Sequence, residues 1–281
     1  MKTATMRIRL VLVSMLLAGY CQAAINPKTL VGMWLFDEGT GKTTEDASGN
    51  GHKGQIKGPK WTKGKFGKAL SFEGNHVAIG NFDGYEKDLT IVAWIKTSAA
   101  PAWSDIMCGP CGDIILTLKD HKLNFAGQCA KPIPHSAWST TLLNDDKWHH
   151  IAGTYNGSKA KVYVDGKEEA ETAAAGAFIT GPKSIGSNAE GTDEFYKGLI
   201  DDVAIFNVPL NEKDIKTIMK NGVGMATGIL AVSGSDKLTT TWCRIKLKIN
   251  QTDQSRATLV NWAQREQWLA EMDQFSNSSY P

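Results

Sequence analysis

The chain has 281 residues, of which 31 are basic and 29 acidic, so its formal net charge at pH 7 is +2. A charge so near balance argues against nucleic acid or an anionic membrane surface as a partner, since both select strongly basic proteins. The 28 glycines and nine tryptophans favour many short strands joined by tight turns.

The first 23 residues predict export. Three basic residues precede an apolar run at 10–19: Lys2, Arg7 and Arg9. Small residues then lead up to Ala23, and this order of features is typical of a secretory signal peptide. The apolar run has about ten residues, whereas a membrane-spanning helix needs about 20, so we expect no membrane insertion. The mature protein is therefore predicted to be secreted, either extracellular or at the cell surface.

Apolar and polar residues alternate in short runs from residue 30 to about residue 206, with turn residues between the runs. This period of two predicts the strands of an antiparallel sandwich or barrel. The predicted elements are a buried strand at 90–95, a hairpin at 114–125, a three-stranded meander beginning at 148–167 and a last strand at 198–206.

The pattern changes after the last strand. Pro209 ends the strand, and residues 211–219 predict a short helix closed by Gly222. Farther on, 230–249 could add one or two strands and 256–275 has the spacing of a helix. We therefore divide the chain into a signal peptide at 1–23, a sandwich domain at 24–222 and a C-terminal extension of uncertain structure at 223–281.

Eight short motifs resemble, in order, the successive blocks of a laminin-G-like (concanavalin-A-like) jelly-roll domain. They are WLFDEGTG at 34–41, DASGNG at 46–51, GKFGKALSFEG at 64–74, TIVAW at 90–94, KWHHIAGTY at 147–155, VYVDGK at 162–167, IG at 185–186 and GLIDDVAIF at 198–206. One such motif is weak, but eight in order are specific. The resemblance does not extend past about residue 222.

The resemblance implies an all-β fold in which two antiparallel sheets pack face to face, here with a short C-terminal helical appendage. Proteins of this family bind carbohydrates, adhere to other proteins or serve as accessory modules, so the fold alone does not identify a ligand. We expect a non-catalytic binding module that recognises a carbohydrate or a cell-surface ligand. The alternative is a structural or protein-adhesion domain with an extracellular protein as its partner and without glycan binding.

Catalysis is not expected. The laminarinase-like hydrolases that share this architecture carry their acids in the pattern Glu-x-Asp-x-x-Glu on one strand, which places two carboxyl groups about 5 Å apart. That pattern is absent from the sequence, as are the Gly-x-Ser-x-Gly, Walker and His-Glu-x-x-His motifs.

A structural calcium ion is implied by the resemblance, because such domains often hold one where an early loop meets the last strand. The candidate ligands are Asp46, Asn50 and Asp202, with Asp37 and Ser48 nearby in the pattern. The alternative is that Asp46 forms an Asx-turn and that one of Asp201 and Asp202 points to solvent, as strand alternation requires.

The resemblance to pentraxins, which share the broader fold, suggests a ligand-binding group in the polar loops. Its members are Asn188 and Glu190, with Trp103 and Asp105 nearby. Three aromatic residues are further candidates for stacking on a sugar face, or else pack in the core: Trp103, Trp138 and Tyr196. We expect His150 to be a hydrogen-bonded core histidine, because His149 and His150 point to opposite faces of a strand and do not suit one metal ion.

Four cysteines remain after export, and an even number favours disulfides in an oxidising compartment: Cys108, Cys111, Cys129 and Cys243. We prefer a bridge from Cys129 to Cys108 or Cys111. The segment Cys108-Gly-Pro-Cys111 resembles a thioredoxin-like redox centre, which opens a helix. The residues after it predict a strand instead, which favours a structural role; metal binding with Cys129 is the other alternative.

Overall fold

The computed structural model describes residues 25–85, 87–99, 103–110, 114–126, 136–174 and 181–229. The predicted signal peptide, the predicted elements after residue 230 and three cysteines lie outside these residues: Cys111, Cys129 and Cys243. Within the described ranges, no helix is long and apolar enough to span a membrane.

Sixteen strands and two α-helices occur in the described residues. The strands are β1 (Leu30–Trp34), β2 (Thr43–Thr44), β3 (Gly54–Lys57), β4 (Lys60–Lys63), β5 (Lys68–Glu73), β6 (His76–Phe82), β7 (Asp88–Lys96), β8 (Trp103–Cys108), β9 (Ile115–Lys119), β10 (Lys122–Ala126), β11 (Ala137–Leu142), β12 (His149–Asn156), β13 (Lys159–Val164), β14 (Lys167–Ala173), β15 (Gly181–Ile185) and β16 (Lys197–Phe206). The helices are α1 (Glu212–Asn221) and α2 (Val223–Ala226).

The strands form two eight-stranded sheets. The first has the order β14-β13-β12-β7-β16-β5-β4, with β1 paired to β16, and the second has the order β11-β10-β9-β8-β15-β6-β3-β2. Neighbouring strands in both sheets are antiparallel. The predicted all-β, two-sheet antiparallel sandwich with short helices after the last strand is therefore confirmed.

The main hydrophobic core lies between the two sheets. Residues such as Ile91 and Ile151 on the first sheet face Leu116 and Phe125 on the second. The sheets lie close together at Gly153 on β12, where a Cβ atom would overlap the Phe125 ring. A glycine at this position leaves room for the ring.

A second cluster covers the outer face of the first sheet. The helix α1 begins after Asn211, whose side chain accepts a hydrogen bond from the Asp214 N–H at 3.1 Å. Ile215 and Ile218 on its inner side pack in a cluster with residues of β1, β7, β12 and β16. Val223 and Ala226, which follow the predicted boundary at residue 222, are buried in the same cluster.

The expectation that one of Asp201 and Asp202 points to solvent is wrong. Their exposed fractions are 0% and 4%. The register of β16 against β7 shifts between Asp201 and Ala204, and Asp202 has a φ of 47°. An irregularity of this kind breaks the alternation of faces along a strand, so both carboxyl groups turn inward.

Backbone N–H groups compensate this burial in part. The Asp201 Oδ2 accepts hydrogen bonds from Lys65 N at 2.8 Å and Phe66 N at 3.0 Å, and the Asp202 Oδ2 accepts one from Val223 N at 3.3 Å. Burial, together with the neighbouring Asp202 charge, raises the pKa of Asp201 to about 8. Burial likewise raises the pKa of Asp202 to about 7.

Candidate ligand-binding site

The second sheet presents a polar face on the side away from the core. In β9 and β10, four apolar residues belong to the core: Leu116, Leu118, Leu123 and Phe125. The residues that alternate with them must point to the opposite face. That outer face carries Thr117, Lys119, Lys122 and Asn124.

The pairing of four strands aligns further residues on this face. Asp105 on β8 lies opposite Thr117, Thr117 opposite Asn124, and Asn124 opposite Trp138 on β11. Trp103, two residues before Asp105, points to the same side. We define the outer-face site as five residues: Trp103, Asp105, Thr117, Asn124 and Trp138.

The two tryptophans approach each other across the intervening strands. Two strands separate β8 from β11, which at about 4.8 Å per strand places the backbones roughly 14 Å apart. The ring centroids of Trp103 and Trp138 nevertheless lie 6.4 Å apart, with an interplanar angle of 55°. Both indoles therefore lean over β9 and β10. The ammonium of Lys119 lies 4.7 Å from the Trp103 ring centroid, a cation–π distance.

Two buried polar side chains of the site each have one oxygen atom without a hydrogen-bond partner among the described residues. Asp105 is 1% exposed and Asn124 is 0% exposed. The Asn124 amide nitrogen donates to the Ala137 carbonyl at 3.1 Å, but its Oδ1 and the Asp105 Oδ2 have no partner in the described residues. Buried acceptors of this kind are rare in proteins, and a bound donor that reaches them removes the cost.

Burial favours the neutral form of the Asp105 carboxyl group. Burial raises its pKa to about 8; the Thr117 hydroxyl opposes the shift and the nearby Glu194 carboxylate adds to it. A protonated carboxyl group can both donate and accept a hydrogen bond. The site therefore offers a donor and acceptor pair matched to hydroxyl groups.

The loop between β15 and β16 borders the site. The Asp105 N–H donates to the Glu194 carbonyl at 2.8 Å, which fastens this loop to β8. Within the loop, the Asn188 Oδ1 accepts hydrogen bonds from Thr192 N at 2.8 Å and Asp193 N at 3.1 Å. Asn188 therefore holds the loop in shape, while Glu190 is exposed beside it.

Residues 72–216, slightly more than half of the chain, match the family described as the concanavalin A-like lectin/glucanases superfamily. The chain belongs to this superfamily. No curated protein matches the chain.

Three solved structures illustrate the similarity of fold. Domain 4 of AbnA, a GH43 extracellular arabinanase from Geobacillus stearothermophilus solved with arabinotriose, is 19% identical with a TM-score of 0.56, over 68% of this chain and 98% of that chain. The binding domain of Paraclostridial Mosquitocidal Protein 1 is 15% identical with a TM-score of 0.57, over 69% of this chain and 52% of that chain. A botulinum neurotoxin type C structure is 16% identical with a TM-score of 0.54, over 69% and 51%.

This chain thus spans about half the length of the two toxin structures. At such low identity, the likeness shows the fold of this concanavalin A-like protein and no more.

The sequence located part of the outer-face site. Trp103 and Asp105 lie in it, and Asn188 and Glu190 lie in the loop that borders it. Thr117 and Asn124 were missed, although the alternation in the predicted hairpin contains the signal that would place them on one face. For Tyr196 the structure supports core packing over sugar stacking, because it is 1% exposed and packs edge-on against Phe72.

The residues predicted to bind calcium each form hydrogen bonds with backbone groups of a different segment. Asp46 accepts hydrogen bonds from the N–H groups of Met33 and Ser48 at 2.9 Å and of His52 at 3.0 Å. The Asn50 side chain donates to the carbonyls of Leu30 and Val31. Asp202 faces the start of α2, as described above.

Both carboxylate oxygens of Asp46 are engaged in these bonds, whereas Asn50 uses its amide nitrogen. No group of three or more His, Cys, Asp or Glu side chains suited to a metal ion occurs in the described ranges. The predicted Asx-turn at Asp46 is present, since its Oδ1 accepts from Ser48 N. The calcium ion itself stays a prediction.

The remaining candidates have mainly structural surroundings. Cys108 ends β8 and is buried, and it is followed by the strand β9 rather than by a helix, as predicted. The disulfide stays a prediction, because the other cysteines lie outside the described residues.

His150 is buried against Trp94 at a ring-centroid distance of 5.3 Å. Burial lowers its pKa to about 3. The expected hydrogen bonds are wrong, because neither ring nitrogen has a partner among the described residues.

Proposed function

We propose that this chain is a secreted, non-catalytic carbohydrate-binding module and that the outer-face site holds the sugar. One observation carries the proposal: the paired indoles of Trp103 and Trp138 stand beside buried, unpartnered oxygens of Asp105 and Asn124. An aromatic surface next to a few fixed polar groups is the usual composition of a small-molecule site.

Sugar chemistry matches both parts of the site. A sugar ring has a face of C–H groups, which packs on an indole, and a rim of hydroxyl groups, which donate and accept hydrogen bonds. A hydroxyl that donated to the Asp105 Oδ2 or the Asn124 Oδ1 would satisfy an acceptor that is otherwise buried without a partner. The arabinanase domain of the same fold, solved with arabinotriose, supports the choice of ligand class.

Two sequence features support the rest of the proposal. The order of charged, apolar and small residues in the first 23 residues supports secretion. The absence of the Glu-x-Asp-x-x-Glu pattern from the sequence supports binding without catalysis.

The test is a glycan array probed with the mature chain and with Trp103→Ala and Trp138→Ala. We expect the wild type to bind a restricted set of glycans and both variants to lose that binding. The matched control is Trp61→Ala, because Trp61 lies on β4 of the first sheet and donates to the Gly41 carbonyl instead.

A wild type that binds no glycan, or variants that bind as well as the wild type, would overturn the proposal. Recovery of an extracellular protein by cross-linking, with no glycan bound, would favour the adhesion alternative.

A further inference from the structure

The hairpin of β9 and β10 places two lysines side by side at one end of the outer-face site. Lys119 is the last residue of β9, Lys122 is the first of β10, and the two lie directly opposite each other. The two residues between them, Asp120 and His121, have φ values of 49° and 67°. Such a tight two-residue turn fixes the register, so both lysines must share the outer face with Trp103.

This arrangement places two positive charges directly opposite each other. Like charges directly opposite each other destabilise a hairpin. Neither Lys119 nor Lys122 forms an ion pair with any residue that the structure describes. The Lys119 ammonium rests on the Trp103 ring instead, so it stands at the edge of the surface proposed for the sugar.

The other side of β8 carries the opposite charge. The loop fastened to Asp105 carries three acidic residues: Glu190, Asp193 and Glu194. Charge therefore differs across the strands, with the basic hairpin of β9 and β10 on one side of β8 and the acidic loop on the other.

We propose that the outer-face site takes an anionic glycan, one that carries a carboxylate or sulfate group, with that group between Lys119 and Lys122 and its sugar ring on Trp103. The inference rests on the proposed sugar-binding function and adds the class and the orientation of the ligand. An anion at this position would form charge-assisted hydrogen bonds and relieve the repulsion between the two ammonium groups.

The experiment compares matched pairs of probes by isothermal titration at pH 7 in low and high salt. Oligogalacturonate against neutral galactan oligosaccharide tests the carboxylate, and dextran sulfate against dextran tests the sulfate. We expect the wild type to bind at least one anionic probe about tenfold more tightly than its neutral counterpart, with the preference reduced by salt. Lys122→Gln and the double variant Lys119→Gln/Lys122→Gln should lose most of that preference.

The matched control is Lys60→Gln/Lys63→Gln, which removes two exposed positive charges from β4 on the first sheet and should leave the preference unchanged. Equal affinity of the wild type for anionic and neutral probes would overturn this inference while leaving sugar binding intact. Equal loss of the preference in both double variants would also overturn it, because the effect would then follow net charge. Failure to bind any glycan would overturn the proposed function itself.

Discussion

Glu169 on β14 accepts hydrogen bonds from both the hydroxyl and the backbone N–H of Thr141 on β11, at 2.6 Å and 2.9 Å. The same carboxylate accepts two more from Thr140. Because β14 is the edge of the first sheet and β11 the edge of the second, one side chain joins the two sheets along this side. It also supports the strand that carries Trp138.

We expect Glu169→Gln to lower the free energy of unfolding by about 1–2 kcal/mol, because several charge-assisted hydrogen bonds become neutral or are lost. Burial raises the pKa of Glu169, but the Thr140 and Thr141 bonds outweigh it and the net pKa is lowered. The stabilisation by Glu169 should therefore be fully present above the pKa that its carboxyl group has in the unfolded chain. It should be lost as the pH falls through the lower pKa of this group in the folded protein. Urea unfolding at pH 7 and pH 3 measures this; the exposed Glu73→Gln is the control, and an equal loss in both variants would contradict the prediction.

Gly153→Ala should destabilise the sandwich by about 1–3 kcal/mol, because the new methyl group overlaps the Phe125 ring between the sheets. Adding Phe125→Leu to Gly153→Ala tests the cause. The smaller side chain leaves space for the methyl group, so the double variant should be more stable than the sum of the two single changes predicts. Simple additivity in urea unfolding would show that the two residues do not compete for the same space.

Asp46→Asn should cost about 2–3 kcal/mol, since an amide cannot accept the three N–H groups that the carboxylate now accepts. Thermal unfolding with calcium and with a chelator separates this role from the predicted metal. We expect the wild type to melt at the same temperature in both, because its oxygens are already engaged. A chelator effect that is present in the wild type and missing in the variant would instead support the calcium ion.

His149 should stabilise the fold more at low pH than at high pH. Its Nδ1 lies 2.8 Å from Asp165 and its Nε2 lies 3.0 Å from Asp145. Burial lowers the pKa of His149, but hydrogen bonds to the two carboxylates outweigh it, and the pKa is raised overall. The stabilisation is therefore fully present below about pH 6.5, which is the pKa of the histidine in the unfolded chain. It is lost as the pH rises through the higher pKa of His149 in the folded protein.

The measurement is the difference in unfolding free energy between the wild type and His149→Gln at pH 5.5 and pH 9. We expect up to about 1 kcal/mol at pH 5.5, since the group is partly exposed, and little at pH 9. Because the two proteins differ at one residue and are compared at each pH, the change in this difference between pH 5.5 and pH 9 reports on His149 and its two partners. A difference that grows towards pH 9 would contradict the assignment.

The sequence predicted most of the fold because its turns carry local signals. Asp165-Gly166 closes the β13–β14 hairpin as predicted, with both residues at positive φ. The helix α1 likewise begins after Asn211 and ends at Gly222. Such signals depend on a few neighbouring residues, so they can be recognised without knowledge of the tertiary structure.

Features that depend on register between distant strands were not predictable in the same way. The shift beside Asp201 turns two adjacent carboxyl groups inward, although simple alternation exposes one of them. Trp103 and Trp138 lie 35 positions apart in the chain and meet only because β9 and β10 pair between them. The candidate site was therefore found in part, through Trp103, Asp105 and Trp138, whose residue types suggested binding.

The helix α1 makes the two outer faces of the sandwich different. Since α1 covers the outer face of the first sheet, a tether attached there would direct the tryptophans of the second sheet away from the support. Lys220, exposed in the last turn of α1, is a suitable point for such a tether. Many copies immobilised this way would present their indoles in one direction, and a repetitive polymer could then engage several copies at once and dissociate far more slowly than from one.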